Sequence, residues 1–265
     1  MILVLIIVLT GVIHFVETSC YSIRFGGVKL KKIAVSLSIA SAVLLIARTS
    51  NLSQSMLLGN MVDSVDEGME GSIVLSFRLI LLSASIGTLI SIVAYPTMAK
   101  LSPLLIKRFE IEGSLMNLMT LTNIKKLRYV PSYIRKPRIT VMQKLRIGGI
   151  PKRMMLTNIF VTSVYTTGVL SALYASILDP AHSATSIMSA GIINGVATIL
   201  FTLFLDPHIA LLTERALIED TGSSAMTRTY IFLMISRLIG TLMSQIFFLP
   251  AAVLITYISK LVGVL

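Results

Sequence analysis

The residues able to do chemistry in this chain are charges in places where a membrane protein rarely carries them. The stretch Ala42-Val-Leu-Leu-Ile-Ala-Arg48-Thr-Ser-Asn51-Leu-Ser-Gln54-Ser-Met-Leu-Leu-Gly59 starts as apolar as lipid, then places an arginine and a polar run before turning apolar again. An arginine at the centre of a bilayer costs about 2.5–3.5 kcal/mol on insertion scales. That cost is tolerated when the charge faces a bundle interior, a water-filled cavity or an anion. Glu17, Arg78, Asp206 and Arg237 lie in comparable apolar surroundings. Three arginines (Arg48, Arg78, Arg237) against two acids leave positive charge in surplus at membrane depth. Guanidinium stays ionised when dehydrated, and its planar fork matches phosphate. Chemistry of this kind binds and moves an anion, with pairing of the acids and arginines as structural glue the plainer alternative.

The elements that must position these charges are transmembrane helices. The 265 residues are 55% hydrophobic and 13% charged, with a mean hydropathy of +0.87. That composition defines a polytopic membrane protein. Spans are expected at about 2–22, 33–58, 72–98, 156–178, 187–211 and 230–252, in one integral membrane domain of six helices. The apolar N-terminal run lacks a positive n-region, and His14 and Glu17 stand where a cleavage site would be wanted, so it reads as a retained span.

Lys and Arg number 23 against 12 acids, a net charge of +11. In a membrane protein such charge marks the cytoplasmic side, so it does not argue for nucleic acid. Gly26-Gly27-Val-Lys29-Leu-Lys31-Lys32 reads as a basic cytoplasmic turn. Residues 100–153 carry thirteen Lys and Arg against Glu110 and Glu112. Within that segment, Leu104 to Leu121 has the apolar spacing of an amphipathic helix, and 129–153 is rich in Pro and basic residues suited to anionic headgroups. The loop 60–70 holds four acids and no Lys or Arg. Both termini are therefore expected outside. With no Trp in the chain, interfacial aromatic anchors fall to Tyr.

Each embedded polar group has a bland and a functional reading. His14 and Glu17, three apart, share one face of the first helix; they satisfy one another, or they couple a proton. Arg78 snorkels to the outer interface or lines the mouth of a cavity. Asp206, followed by Pro207 and His208, caps a helix segment or serves as a gating carboxylate. Asn51, Gln54 and Gln245 are further polar lining. The separations Glu17 to Arg48 and Asp206 to Arg237 are equal, a faint echo of the duplicated bundles found in transporters.

Enzyme signatures are missing from the sequence: there is no Gly-rich phosphate loop, no zinc helix and no nucleophile elbow. No catalytic residue, cofactor or metal ligand is assigned, and the lone Cys20 allows no intrachain disulfide. The residues alone leave open a flippase, an ion-coupled transporter of a small anion, and a non-transporting membrane partner of cell-wall enzymes.

A resemblance narrows this. His14-Phe-Val-Glu17-Thr, Tyr21-Ser-Ile-Arg24, Ala47-Arg48-Thr-Ser-Asn51, Leu57-Leu58-Gly59, Gly149-Ile-Pro-Lys-Arg153, the run from Gly191 to Leu200 and Asp206-Pro-His-Ile-Ala-Leu-Leu-Thr together resemble the bacterial Amj family of alternate lipid II flippases. The resemblance covers most of the chain. It implies movement of the undecaprenyl-diphosphate-linked peptidoglycan precursor from the inner to the outer leaflet of the bacterial cell membrane. No motif transfers residue by residue, so the site expectation stays physical. Arg48 and Arg237, with Arg24 and Arg78 at the two mouths, would contact the diphosphate; His14, Glu17, Asp206 and His208 are candidates for ion pairing or coupling.

Overall fold

A computed structural model describes residues 1–64, 70–114, 117, 133–135, 152–218 and 222–263. Among these residues the fold is helical throughout. Helix α1 spans Ile2–Leu30, α2 Ile33–Asp63 and α3 Glu70–Glu112. Helix α4 spans Lys152–Leu178, followed by a single 3-10 turn over Pro180–His182. Then come α5 (Ser183–Leu200), a π-helical turn (Phe201–Leu205), α6 (Asp206–Ile218) and α7 (Gly222–Gly263). Six helical segments are long and apolar enough to cross a membrane, with α5, the π turn and most of α6 forming the fifth. The exposed Val4, Val8, Leu45, Ile46, Leu89, Ile90, Ile192 and Leu254 form the apolar exterior that such a bundle presents to lipid.

Several helices outrun the apolar stretches that predicted them. Helix α1 continues eight residues past Ser22, and its turn comes at Lys31, whose φ of 57° is left-handed. The backbone N–H of Lys32 closes that end by donating to the Gly27 carbonyl at 2.9 Å, the hydrogen-bonded ending typical of helix C-termini. Gly26 and Gly27 are thus not turn residues. They are helical, and a Cβ at Gly27 would sit 1.9 Å from Ser36 Oγ, one at Gly26 2.5 Å from Ser102 Oγ. Their small size brings α2 and α3 against α1.

The 43 residues of α3 make a rod of about 64 Å at 1.5 Å per residue, against roughly 30 Å of hydrocarbon. It runs through Pro96 and Pro103 without ending. The amphipathic stretch expected from Leu104 therefore begins as the extension of the third span, not as a separate helix. Its remainder toward Leu121, apart from 113–114 and Asn117, lies outside the described residues, as does most of the basic segment to Pro151. Lys32 bonds Glu110 at 2.5 Å, tying the α1–α2 turn to this projecting end.

The six spans pack as two triplets of the same plan. In the first, α1 lies along both α2 and α3; in the second, α4 lies along both α5 and α7. Each triplet contains three of the six helical segments long and apolar enough to cross a membrane. The α1–α3 seam depends on glycine: a Cβ at Gly87 would fall 2.0 Å from the carbonyl oxygen of Gly11. Close backbone approach through small residues is the usual basis of helix association in lipid. Gly87→Leu is expected to split this seam and cost 3 kcal/mol or more, roughly the upper end for overpacking. Gly191→Leu, whose Cβ meets nothing within 4 Å, is the matched control. Thermal unfolding in detergent reads both; equal midpoints would contradict the packing.

Candidate functional site

Helices α1, α2, α4, α5 and α7 meet around a small pocket of about 20 Å³ lined by Glu17, Arg48, Tyr165, Thr198, Phe201 and Arg237. That volume admits one water or so. The Arg237 guanidinium donates to the Glu17 carboxylate, both side chains being almost fully buried. Two turns along α1, Arg24 Nη2 donates to Asp206 Oδ1 at 2.7 Å. Arg48, half-buried, lies over the Phe201 ring with its guanidinium carbon 5.5 Å from the centroid and makes no ion pair among the described residues.

The ion pairs cross the bundle in a way that sequence spacing did not suggest. The echo pairs were Glu17 with Arg48 and Asp206 with Arg237; the structure joins Glu17 to Arg237 and Asp206 to Arg24. Both observed pairs run from α1 to the second triplet, so they tie the two halves together. Arg24, expected at a mouth, is 3% exposed and fully part of the network.

Asp206 reaches Arg24 because of the π turn before it. Pro207 has no N–H to give the helix, and the widened turn at Phe201–Leu205 carries the chain onward as helix α6 instead of breaking it. Turns of this kind recur at functional sites. Asp206 is thereby a partner of Arg24 and not only a cap. His208 points elsewhere: it is exposed, and its Nδ1 donates to the Phe204 carbonyl at 2.7 Å.

Charge is in surplus within this network. Arg24, Arg48 and Arg237 face two carboxylates, and Arg24 Nε and Nη1 and Arg237 Nε are buried donors with no acceptor among the described residues. Buried polar groups are ordinarily bonded, and these nitrogens are exceptions. A smaller pocket lined by Glu17, Cys20, Tyr21, Arg24, Phe201 and Arg237 joins the two ion pairs. Beside it, Tyr21, Phe25, Tyr95 and Tyr230 pack with ring centroids 6.0–6.4 Å apart, Phe25 edge to face with Tyr230 and the Tyr21–Tyr230 and Phe25–Tyr95 pairs tilted. Tyr21, Tyr95 and Tyr230 are buried here, whereas Tyr257 near the end of α7 is exposed.

A second polar pocket of about 30 Å³ adjoins the first, toward the start of α1. Tyr165 lines both, and its hydroxyl accepts from Asn51 Nδ2 at 3.4 Å. Gln54 Nε2 donates to Thr10 Oγ1 at 2.5 Å, leaving Gln54 Oε1 without a partner among the described residues, as is His14 Nδ1. This pocket is polar but uncharged. From Arg24 to Gln54 the polar groups thus form one continuous file through the bundle, with Tyr165 at its middle.

Arg78 is outside that file. Its Nη1 donates to the Gln245 backbone carbonyl at 3.2 Å, while Gln245 Nε2 donates to the Arg78 carbonyl at 2.8 Å. This reciprocal clamp joins α3 to α7. Gln245→Ala is expected to lower unfolding stability by about 1 kcal/mol, read by thermal unfolding in detergent; an unchanged midpoint would contradict the clamp.

Sequence reasoning passed over Tyr165 and Phe201. Tyr165 sits in a charge-free run where nothing sets it apart, and Phe201 becomes visible only through the guanidinium laid across it. Among the described residues no group of three or more His, Cys, Asp or Glu suited to a metal ion occurs.

Six helical segments long and apolar enough to cross a membrane, packed around a file of buried charges, suit a membrane transport protein. The chain belongs to the Amj family (alternate to MurJ), whose profile matches residues 9–259. It is 32% identical over 250 residues to the lipid II flippase Amj of Bacillus subtilis (strain 168), an alignment covering 94% of this chain and 93% of that protein. No solved structure matches it.

Proposed function

We propose that the protein is a lipid II flippase, moving the undecaprenyl-diphosphate-linked precursor from the inner to the outer leaflet of the bacterial cell membrane. One observation carries the reading: three arginines confront two carboxylates at membrane depth, with guanidinium donors still uncommitted. A diphosphate supplies the missing negative charge and several acceptor oxygens. The curated relative, named a lipid II flippase, supplies the identity of the diphosphate's carrier.

In this mechanism Arg24, Arg48 and Arg237 take the diphosphate in turn. Glu17 and Asp206 hold two of the guanidiniums when the file is empty and release them as phosphate arrives. Guanidiniums kept charged and positioned in this way need no reorganisation from solvent. The uncharged second pocket, with Thr10, His14, Asn51 and Gln54, receives hydroxyl and amide groups of the headgroup. His14 and Glu17, one turn apart on α1, are the groups placed to carry a coupling proton. The pocket is far smaller than the headgroup, so entry requires the two triplets to part. The α1 ion pairs are among the contacts between them, alongside the Arg78–Gln245 clamp, and exchange of carboxylate for phosphate loosens those pairs. Alternating access between the two triplets then follows. With the basic 100–153 segment cytoplasmic, both termini lie outside.

The test is reconstitution. Vesicles containing lipid II and the purified protein are probed with an impermeant lipid II-binding reagent, which reports movement between leaflets. Movement should be dependent on the protein and indifferent to added inorganic phosphate gradients. Saturable uptake of a small anion without lipid movement would overturn the proposal.

A further inference from the structure

A further cavity among the described residues is not polar. About 250 Å³ lies between α4, α5 and α7, lined by Phe160, Val164, Gly168, Ile193, Phe247 and Leu254, with Pro250 and Ala251 along one wall. Two hydroxyl residues also line it, yet both spend their hydroxyls elsewhere. Thr167 donates to the Ser163 carbonyl and Ser171 to the Phe248 carbonyl. What remains facing the cavity is hydrocarbon. Its floor exists because residue 168 is glycine: a Cβ there would lie 2.8 Å from Ile193 Cγ2.

The position of this groove identifies its occupant. It shares the walls of the arginine pocket, one helical turn away. On α5, Ile193 faces the groove and Ala197 the charged pocket; on α4, Val164 faces the groove and Val161 the charged pocket. A turn is about 5.4 Å. A ligand held in both therefore has an anionic group joined directly to a hydrocarbon chain. We propose that the groove binds the proximal isoprenoid units of a polyprenyl diphosphate, a reading that rests on the diphosphate site proposed above. An apolar cavity of about 150 Å³ holds a benzene ring, so this one has room for about ten carbons, two isoprene units. With the termini outside, the groove lies on the outer side of the arginine pocket, so a chain entering it from that pocket points away from the cytoplasm, the orientation of lipid arriving from the inner leaflet.

Hydrocarbon gains little by leaving lipid for protein of equal polarity, so the groove adds shape selection and a modest increment in affinity. The test compares inorganic diphosphate, farnesyl diphosphate and undecaprenyl diphosphate as ligands of the purified full chain in detergent, read by ligand-induced shifts in thermal unfolding. The prenyl diphosphates are expected to bind about tenfold more tightly than the bare anion, from dispersion contacts with the lining. Ala251→Phe, which fills the groove, should remove that increment and leave inorganic diphosphate binding intact. Phe247→Ala, which opens a wall at a lipid-exposed position, should shrink the increment without threatening the fold. If both variants keep the full increment, or if phosphatidylglycerol competes as well as the prenyl chain, the groove holds annular lipid only and the proposal falls. If inorganic diphosphate fails to bind the unaltered protein, the arginine site itself is refuted; that result is separate from either groove outcome.

Discussion

Arg48→Ala is expected to abolish most transport while leaving the amount of folded protein in the membrane unchanged. The asymmetry follows from what Arg48 touches. It is half-buried and lies on the Phe201 ring, with no carboxylate partner among the described residues. Removing it sacrifices a cation–π contact worth about 0.5–1 kcal/mol and leaves no buried charge unpaired. A phosphate would lose its charge-assisted bonds, about 1.5–3 kcal/mol, equivalent to roughly 10- to 100-fold weaker diphosphate binding. Affinity for inorganic diphosphate and lipid movement in vesicles measure the loss; unfolding midpoint controls for stability. Arg48→Lys should restore only part of the function, because an ammonium keeps the charge but not the fork. A variant that transports normally would remove Arg48 from the site.

Arg237→Ala is expected to behave differently, and the difference is diagnostic. It strips the partner from Glu17 in a buried position, and breaking such a pair costs about 3–5 kcal/mol because the remaining charge is uncompensated. The single variant should therefore be poorly folded as well as inactive. Adding Glu17→Gln removes the stranded carboxylate. The double variant Glu17→Gln, Arg237→Gln should regain most of the stability, since a neutral pair of similar volume needs no counter-charge. Transport should stay lost, because the anion site has lost one of its guanidiniums. A double-mutant cycle on unfolding, closed with the single variants Glu17→Gln and Arg237→Gln, gives the coupling energy. Recovery of transport along with stability would show that the pair is structural glue and nothing more.

These two arginines also show what the sequence revealed. Arg48 and Arg237 stand out as charges within apolar runs, and the six spans follow from hydropathy, because both signals are local in the chain. The partnership of charges is not local. Glu17 meets Arg237 and Arg24 meets Asp206 only because α1 packs against helices from the far half of the chain, and equal spacings along the sequence pointed to other pairs. Arg24 looked like the end of a span because the apolar run thins there, yet the helix continues to Leu30 and buries it. Gly26 and Gly27 carried the composition of a turn and proved to be close contacts, a distinction that depends on which helix lies alongside. Arg78 has the same sequence character as Arg48, yet the structure bonds Arg78 to a backbone carbonyl of α7 and lays Arg48 on the Phe201 ring. The apolar groove left no sequence signal, since its lining is indistinguishable from any lipid-facing helix until three helices enclose it.

The most direct measurement of the central claim is exposure of lipid II on the outer leaflet of bacteria depleted of their resident flippase, with and without this protein. Exposure restored by the protein, and lost again with Arg48→Ala at equal membrane abundance, is the predicted result. Exposure that stays absent while the protein is stably inserted would contradict the account.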